Sequence, residues 1–283
     1  MRSLMTVLAL GLLAGCTHGA TETVAFDSAR AATGQVLLET FAGDVFVETD
    51  PSAIRVAGTM VLTARGFSDE SKAVAALHEV LIDESGTNDA LVIRVDGPAL
   101  SGLRTLRADL HMAVPPGVVV TLVTGDGLVS ATDVDLDRIE TARGGAELAH
   151  TLGPSIVRAA GGAISVDGHE GDLDLRSSDA PISIFSARGD IRAVTTHGMV
   201  TARLVPPEGA ELFIATTNAG IDLALPFGFG ADLSATTDAH IFIEGLDFDV
   251  TRDTFDLLEG RLAGGGGLVD LRTTHADIRV HRR

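Results

Sequence analysis

The chain has 283 residues, of which 39 are acidic and 21 are lysine or arginine, so its formal charge is −18 at pH 7. Such an acidic surface repels phosphate backbones, which argues against nucleic acid as a partner. The single cysteine excludes an internal disulfide framework. The absence of tryptophan and tyrosine argues against a face built for stacking sugars.

Residues 1–15 have the composition of an export signal. Arg2 precedes an apolar run that is too short for a bilayer span of about 20 residues. The run ends in Leu-Ala-Gly-Cys, which resembles the lipobox of bacterial lipoproteins. This resemblance implies cleavage before Cys16, lipidation of Cys16 and membrane attachment through that anchor. The following Thr17 favours the outer membrane in a bacterium with two membranes.

The first part of the remaining chain is predicted to be a β region preceded by a linker. Residues 16–33 form the linker, and residues 34–114 form the N-terminal β region. Segments with alternating apolar residues start at Gly34, Gly43 and Ser52, nine residues apart. Alternation with period two predicts strands.

A helix is predicted near residues 69–82, because Ser68 followed by two acids is a good helix start and apolar residues then recur every three to four positions. We expect this amphipathic helix to cover an open end or a face of the sheet. A hairpin with strands near 80–83 and 91–95 should follow, and strands near 103–114 should close the region.

Residues 115–283 are predicted to be a repeat of short strands. Five segments in its middle begin with a small or turn-forming residue and continue apolar-x-apolar, and their starts lie nine residues apart: Gly162, Gly171, Ala180, Gly189 and Gly198. Every second segment carries a fuller pattern, so the unit is two strands in about 18 residues. Equal units stack by burying their apolar rows against each other. The predicted fold class is therefore all-β, a β-solenoid with one short helix in its N-terminal part.

One position of the fuller pattern is occupied by residues that readily adopt a left-handed backbone conformation. We expect one such corner, repeated at every unit. The eight residues at this position are Asp126, Gly144, Gly161, Asp179, His197, Asn218, Asp238 and His275.

Two patterns resemble metal sites. His197, His240 and His275 lie on or near the corner position, but no short ligand pair accompanies them, so a structural or surface role is favoured over metal binding. The nine-residue spacing is also typical of calcium-binding nonapeptides. Asp172 and Asp190 follow glycines directly, but the second glycine and the later aspartate of that motif are missing. The sequence therefore predicts no metal and no other cofactor.

Four arginines recur on the predicted strands: Arg143, Arg158, Arg176 and Arg192. A polysaccharide lyase or esterase would need clustered carboxylates with such a base in a groove. An exposed arginine on a strand is more often a cross-strand partner of a carboxylate. We therefore expect no catalytic residues and no enzymatic activity.

The repeat is blurred between Glu244 and Gly267, where the sequence is more acidic and ends in four glycines. This segment is predicted to be either a longer loop or a degenerate unit. It is the first place in the chain where we expect an edge that binds a partner.

The TTxAxIxI segments, the Pro-Pro-Gly strand starts and the final GGGGLVDLRTTHADIRVHRR resemble the bacterial putative-adhesin family of β-strand-repeat proteins. The resemblance spans roughly residues 34–280 and implies a β-solenoid. It brings no catalytic or binding residues, since the family's name rests on an analogy of shape.

Three functions are compatible with these features. The first is a lipid-anchored envelope protein, on the periplasmic or the surface face, whose solenoid is a non-catalytic scaffold or binding surface for a protein or polysaccharide partner. The second is a polysaccharide-acting enzyme on a solenoid, and the third is an envelope-stress or regulatory module. The lipobox, the regular repeat and the lack of a reactive constellation favour the first.

Overall fold

A computed structural model describes residues 6–7, 18–28, 34–87, 89–100 and 102–283. These residues are mostly β-strand with one α-helix, as the predicted all-β class requires. Cys16 lies outside the described residues, as does much of the predicted signal. The chain divides into two compact units, residues 1–135 and 136–283.

The elements of the first unit are β1 Thr6–Val7, β2 His18–Ser28, β3 Gln35–Thr40, β4 Val45–Thr49, β5 Val56–Phe67, α1 Glu70–His78, β6 Leu81–Thr87, β7 Ala90–Asp96, β8 Thr105–Val114, β9 Val119–Thr124 and β10 Val129–Thr132. One sheet has the order β1-β2-β5-β8-β4-β10, antiparallel up to β8 and parallel beyond it. The other has the order β9-β3-β7-β6, in which only the predicted β6–β7 hairpin is antiparallel.

The helix α1 is shorter than predicted at its C-terminal end. Asp69, rather than Ser68, is the N-cap, and its carboxylate accepts a hydrogen bond from the backbone N–H of Lys72 at 2.9 Å. The helix packs against β2 and β5 and buries Leu77. The predicted extension to residue 82 is wrong because Leu81 begins β6, where pairing with β7 satisfies the backbone.

The strands of the second unit are β11 Asp135–Thr141, β12 Ala146–Ala149, β13 Ser155–Ala159, β14 Ile164–Asp167, β15 Leu173–Ser177, β16 Ile182–Phe185, β17 Ile191–Val194, β18 Val200–Arg203, β19 Glu211–Ala215, β20 Ile221–Leu225, β21 Ala231–Thr236, β22 Ile241–Glu244, β23 Phe248–Asp253, β24 Leu257–Leu262, β25 Gly267–Arg272 and β26 Ile278–Arg282. Within this unit, sheet I has the order β12-β14-β16-β18-β20-β26-β22. Sheet II has the order β11-β13-β15-β17-β19-β25-β21-β24-β23.

The predicted 18-residue unit is the offset between paired strands. Ile164 lies opposite Ile182, and Ile182 lies opposite Val200, so equivalent residues of successive units stack in register. All three side chains are buried. Successive strands from β11 to β20 alternate between the two sheets, and within each sheet they pair in parallel. Burial of apolar surface along these rows stabilises the unit by about 25 cal/mol for each Å² removed from water.

The strands after β20 do not stack in chain order, which differs from the sequence expectation. Strand β25 lies between β19 and β21, and β26 lies between β20 and β22. The last repeat of the sequence therefore sits inside the stack. The acidic segment 244–267 is neither a loop nor a degenerate unit, since it contains the antiparallel strands β23 and β24, which extend sheet II beyond β21.

The predicted left-handed corner is wrong for seven of the eight residues, because only His275 has a positive φ, 69°. Left-handed residues recur instead at the other corner, directly after β12, β14 and β16. They are His150, Gly168 and Ser186, with φ of 51°, 75° and 56°. At three of the predicted corners a hydroxyl two or three residues earlier closes the turn by accepting from a backbone N–H, without a left-handed residue: Thr141, Ser177 and Thr195.

Thr195 shows how the hydroxyl closes that turn. Its Oγ1 donates to the carbonyl of Ala180 in the preceding unit and accepts from the N–H of Gly198, both at 3.2 Å. Thr216 donates in the same way to the carbonyl of Gly198 at 3.1 Å. The hydroxyl residues that open most of these units thus place a buried hydroxyl at the corner, which satisfies backbone groups that stacking would leave unpaired. The unit that begins with Ala159 has no such hydroxyl.

Candidate functional site

The outer face of sheet II presents side chains in rows, because outward-pointing residues of paired strands lie opposite each other. The central row consists of Ile156, Asp174, Arg192, Phe213 and Asp270. The acidic row, at the start of the same strands, consists of Asp172, Asp190 and Glu211. These two rows form the candidate binding surface.

The acidic row is held by hydrogen bonds between neighbouring units. Asp172 Oδ1 accepts from the backbone N–H of Asp190 at 3.2 Å, and Asp190 Oδ1 accepts from the N–H of Glu211 at 2.8 Å. Both aspartates, which the sequence placed beside a calcium motif, therefore bind backbone N–H groups of the next strand. Their carboxylates are fixed in a line along the face.

The arginines of this face have different partners. Arg158 lies opposite Glu140 on the neighbouring strand and pairs with it at 3.2 Å, as predicted. Arg176 instead pairs within its own strand, with Asp174 at 2.8 Å. The prediction of a cross-strand carboxylate is wrong there because Arg176 faces Arg158 across the strands. The hydrogen bond with Asp174 raises the pKa of Arg176, so its charge is constant.

Phe213 is the aromatic centre of the face. The guanidinium of Arg192 lies 4.2 Å from its ring centroid, and that of Arg272 lies 5.5 Å from it. Arg272 is also bound to Asp270 at 2.5 Å. A ring held between two guanidinium groups is an amphipathic platform, because its negative face attracts the cations while its edge remains apolar.

A groove of about 470 Å³ runs between the two rows. Its apolar lining includes Pro154, Ile156 and Phe213. Five carboxylates and one guanidinium border it: Asp137, Asp172, Asp174, Asp190, Glu211 and Arg192. The groove is therefore negatively charged with an apolar floor, which suits an elongated ligand that carries cationic and apolar groups.

The three histidines of the sequence analysis each face one carboxylate. His197 Nδ1 lies 2.8 Å from Asp179, His240 Nδ1 lies 3.4 Å from Asp277, and His275 Nε2 lies 3.6 Å from Asp238. Within the described ranges, no three His, Cys, Asp or Glu side chains are grouped so that they could hold a metal ion.

Sequence reasoning missed two residues of the second unit. The sequence could have indicated Phe213, because it occupies the same outward position of its strand as Arg192 does one unit earlier. His169 carried none, because it lies in a connection between strands. Its side chain is completely buried, and its Nδ1 lies 2.9 Å from Thr151 Oγ1.

The predicted lipidation site Cys16 falls outside the described residues. In the part of the chain that the structure covers, no helix is long and apolar enough to cross a membrane.

No family model matches the chain, and no curated protein matches it. Among solved structures it is similar to a putative adhesin from Bacteroides fragilis, with 12% identity, 91% of this chain and 96% of that chain covered, and a TM-score of 0.40. It is also similar to a putative cell adhesion protein from Clostridium sporogenes, with 9% identity, coverage of 94% and 100%, and a TM-score of 0.32. A putative adhesin from Parabacteroides distasonis has 9% identity, coverage of 93% and 97%, and a TM-score of 0.30.

Proposed function

We propose that this chain is a lipid-anchored, adhesin-like protein of the bacterial cell envelope, related to the family that its repeats resemble. Its β-solenoid would present a non-catalytic binding surface, the central and acidic rows of sheet II. The observation that carries this proposal is the line of fixed carboxylates beside the Phe213 platform, bordering a groove about 470 Å³ in volume.

The solenoid interpretation is supported by the in-register parallel pairs at an offset of 18 residues, as between Ile164 and Ile182. Stacking of this kind produces long faces on which equivalent side chains repeat at about 4.8 Å. A polymer with repeating groups can contact several units of such a face at once. Many weak contacts then add through avidity, which is how an extended binding surface gains affinity.

The non-catalytic interpretation is supported by the partners that the arginine side chains already bind. Arg158, Arg176 and Arg272 are each bound to a carboxylate, and Arg192 stacks on Phe213. A guanidinium committed in this way is poorly suited to proton transfer, which general acid–base catalysis requires. The polysaccharide-acting enzyme is therefore the weaker proposal.

Envelope attachment is supported by the lipobox before Cys16. The test is to express the full-length protein in a Gram-negative host, separate the membranes and compare wild type with Cys16→Ser. We expect the wild type in the outer membrane and the variant in the soluble fraction. Protease treatment of intact cells then distinguishes surface exposure, which gives digestion, from a periplasmic position, which gives protection. Recovery of wild type in the cytoplasm with its signal intact would refute the proposal.

The binding surface is tested by coating beads with the purified protein and measuring their adherence to a panel of immobilised ligands. The panel contains matrix proteins, anionic polysaccharides and the amino polysaccharide chitosan. We expect adherence to at least one cationic member, and its loss in Phe213→Ala and in Asp190→Asn. Phe227→Ala is the matched control, because Phe227 is an exposed ring with Arg282 at 4.8 Å from its centroid but lies outside the groove. Equal losses in all three variants would count against the groove.

A further inference from the structure

The stack of the second unit is uncovered where sheet I ends at β22. Ile278 and Val280 of β26 are completely buried. Ile241 and Ile243 of β22 lie opposite them in the same inward rows, yet both are only half-buried. The apolar rows therefore extend one strand further than the structure covers them.

The backbone of β22 has a free edge on the same side. The carbonyl of His240 accepts from the N–H of Ile278 at 2.9 Å, which directs His240 toward β26. Because backbone groups alternate along a strand, those of Ile241 and Ile243 point to the opposite edge. In the described part of the chain no strand pairs with that edge. The two isoleucines thus offer both hydrogen-bonding groups and apolar surface.

The segment of the chain that contains and follows β22 is acidic. From Asp238 to Glu259, both included, it has seven carboxylates and one arginine, Arg252. Asp247, Asp249, Asp253 and Asp256 are all exposed. In the same segment Phe255 is 86% exposed and Phe242 is 37% exposed. This charge disfavours a second copy of the same edge as the partner and favours a basic one.

The other edge of β22 shows which strand chemistry fits. Strand β26 has the sequence Ile-Arg-Val-His-Arg, with its apolar residues facing inward and its basic residues facing outward. Arg279 lies 4.0 Å from Glu244 and 5.7 Å from the centroid of Phe242. A strand of this alternation therefore satisfies the side chains that β22 presents on both of its faces.

We infer that the free edge of β22 docks an extended segment of a partner protein in which apolar and basic side chains alternate. The segment would add one strand to sheet I, cover Ile241 and Ile243 with its apolar residues and place its basic residues among the carboxylates. This inference is independent of the lipid anchor and of the groove on sheet II.

The probe is a fluorescein-labelled peptide with the sequence ADIRVHRR, which is that of residues 276–283. It is titrated with the full chain in detergent and followed by fluorescence anisotropy. We expect saturable binding that weakens at least about tenfold when Glu244→Arg and Asp247→Arg are combined. The peptide ADIEVHEE, in which the arginines are glutamates, should not bind.

The matched control combines Glu147→Arg with Asp167→Arg. This makes the same change of charge on exposed residues of β12 and β14, which lie at the other end of the strand order of sheet I. It should bind the probe like wild type. Hydrogen exchange on the wild type should show new protection of β22 with unchanged protection of β26. No binding of the probe, equal weakening in both double variants, loss of β26 protection, or protection of β22 by self-association without the peptide would each overturn the inference.

Discussion

Buried hydroxyls at the corners are the residues on which the stack depends most directly. Thr195 satisfies a carbonyl of the preceding unit and an N–H of its own turn. Thr195→Val keeps the shape but leaves both backbone groups unpaired, so we expect a loss of about 1–3 kcal/mol in the free energy of unfolding. Urea titration measures it. Thr196→Val, at the exposed neighbour, should change the free energy of unfolding little. Thr195→Ser keeps a hydroxyl and should retain most of the wild-type value.

His169 makes the stability of the second unit depend on pH. Its Nε2 is buried without a hydrogen-bond partner among the described residues, and burial lowers the pKa of His169 below its ordinary value of 6.5. Unfolding restores the ordinary pKa, so the unfolded chain takes up a proton more readily than the folded chain. The free energy of unfolding should therefore be constant above about pH 6.5 and fall as the pH is lowered below it.

Urea titrations between pH 8 and pH 5 test this dependence. His169→Gln removes the titrating group, so the decrease at low pH should become smaller than in wild type. His240→Gln, at an exposed histidine that faces Asp277, is the control and should keep the wild-type decrease. An identical decrease in wild type and His169→Gln would show that other groups cause it.

At the scale of the element, one side chain fixes the start of α1. Hydrogen bonds from Ser71 and from the N–H of Lys72 hold the pKa of Asp69 well below its usual range. Asp69→Ala should therefore lower the Tm of the protein, and Asp69→Ser should retain most of it, because serine is also a good N-cap. Glu84→Ala, at an exposed residue of β6, is the comparison. Equal Tm values for Asp69→Ala and wild type would contradict the cap.

The strands themselves follow from the sequence, while their corners do not. Alternation around Ile182 and Ile184 predicts a strand and its buried face, because a period of two matches the pleat. The corner residues Asp179 and His197 suit a left-handed turn equally well, but the hydroxyls of Ser177 and Thr195 close it by another route. Residue preferences give the set of allowed turns, and the hydrogen bonds that these hydroxyls accept select one of them.

For the whole molecule, the position of β26 predicts that a small deletion has a large effect. Removing residues 277–283 takes away an internal strand of sheet I, between β20 and β22, and not a frayed end. We expect this truncation to abolish cooperative unfolding of the second unit and to make it sensitive to protease. Removing residue 283 alone is the control, which should leave both properties unchanged. A cooperative transition in the longer truncation would show that the unit tolerates the gap.

The spatial order of the strands is the part of the fold that the sequence patterns do not predict. Ile221 can pair in parallel with Ile241 or with Ile278, because all three begin the same kind of segment. The structure pairs it with Ile278. Similar repeats make such alternatives close in energy, so packing of the entire stack decides between them. The groove on sheet II was also missed, because its rows join residues about 18 positions apart and are visible only once the strand pairing is known.

The insertion of β25 and β26 also fixes when this part of the protein can fold. Strands β21 and β22 precede them in the chain, yet each needs one of them as its parallel neighbour. A polypeptide made from its N-terminus therefore leaves β21 without its parallel neighbour until Arg272 has been synthesised, and leaves β22 without one until Arg282 has been synthesised. Only then can the stack close. Closing contacts over dozens of residues is slow compared with forming a local hairpin. Synthesis leaves this region open to chaperones for longer than any strand from β11 to β18.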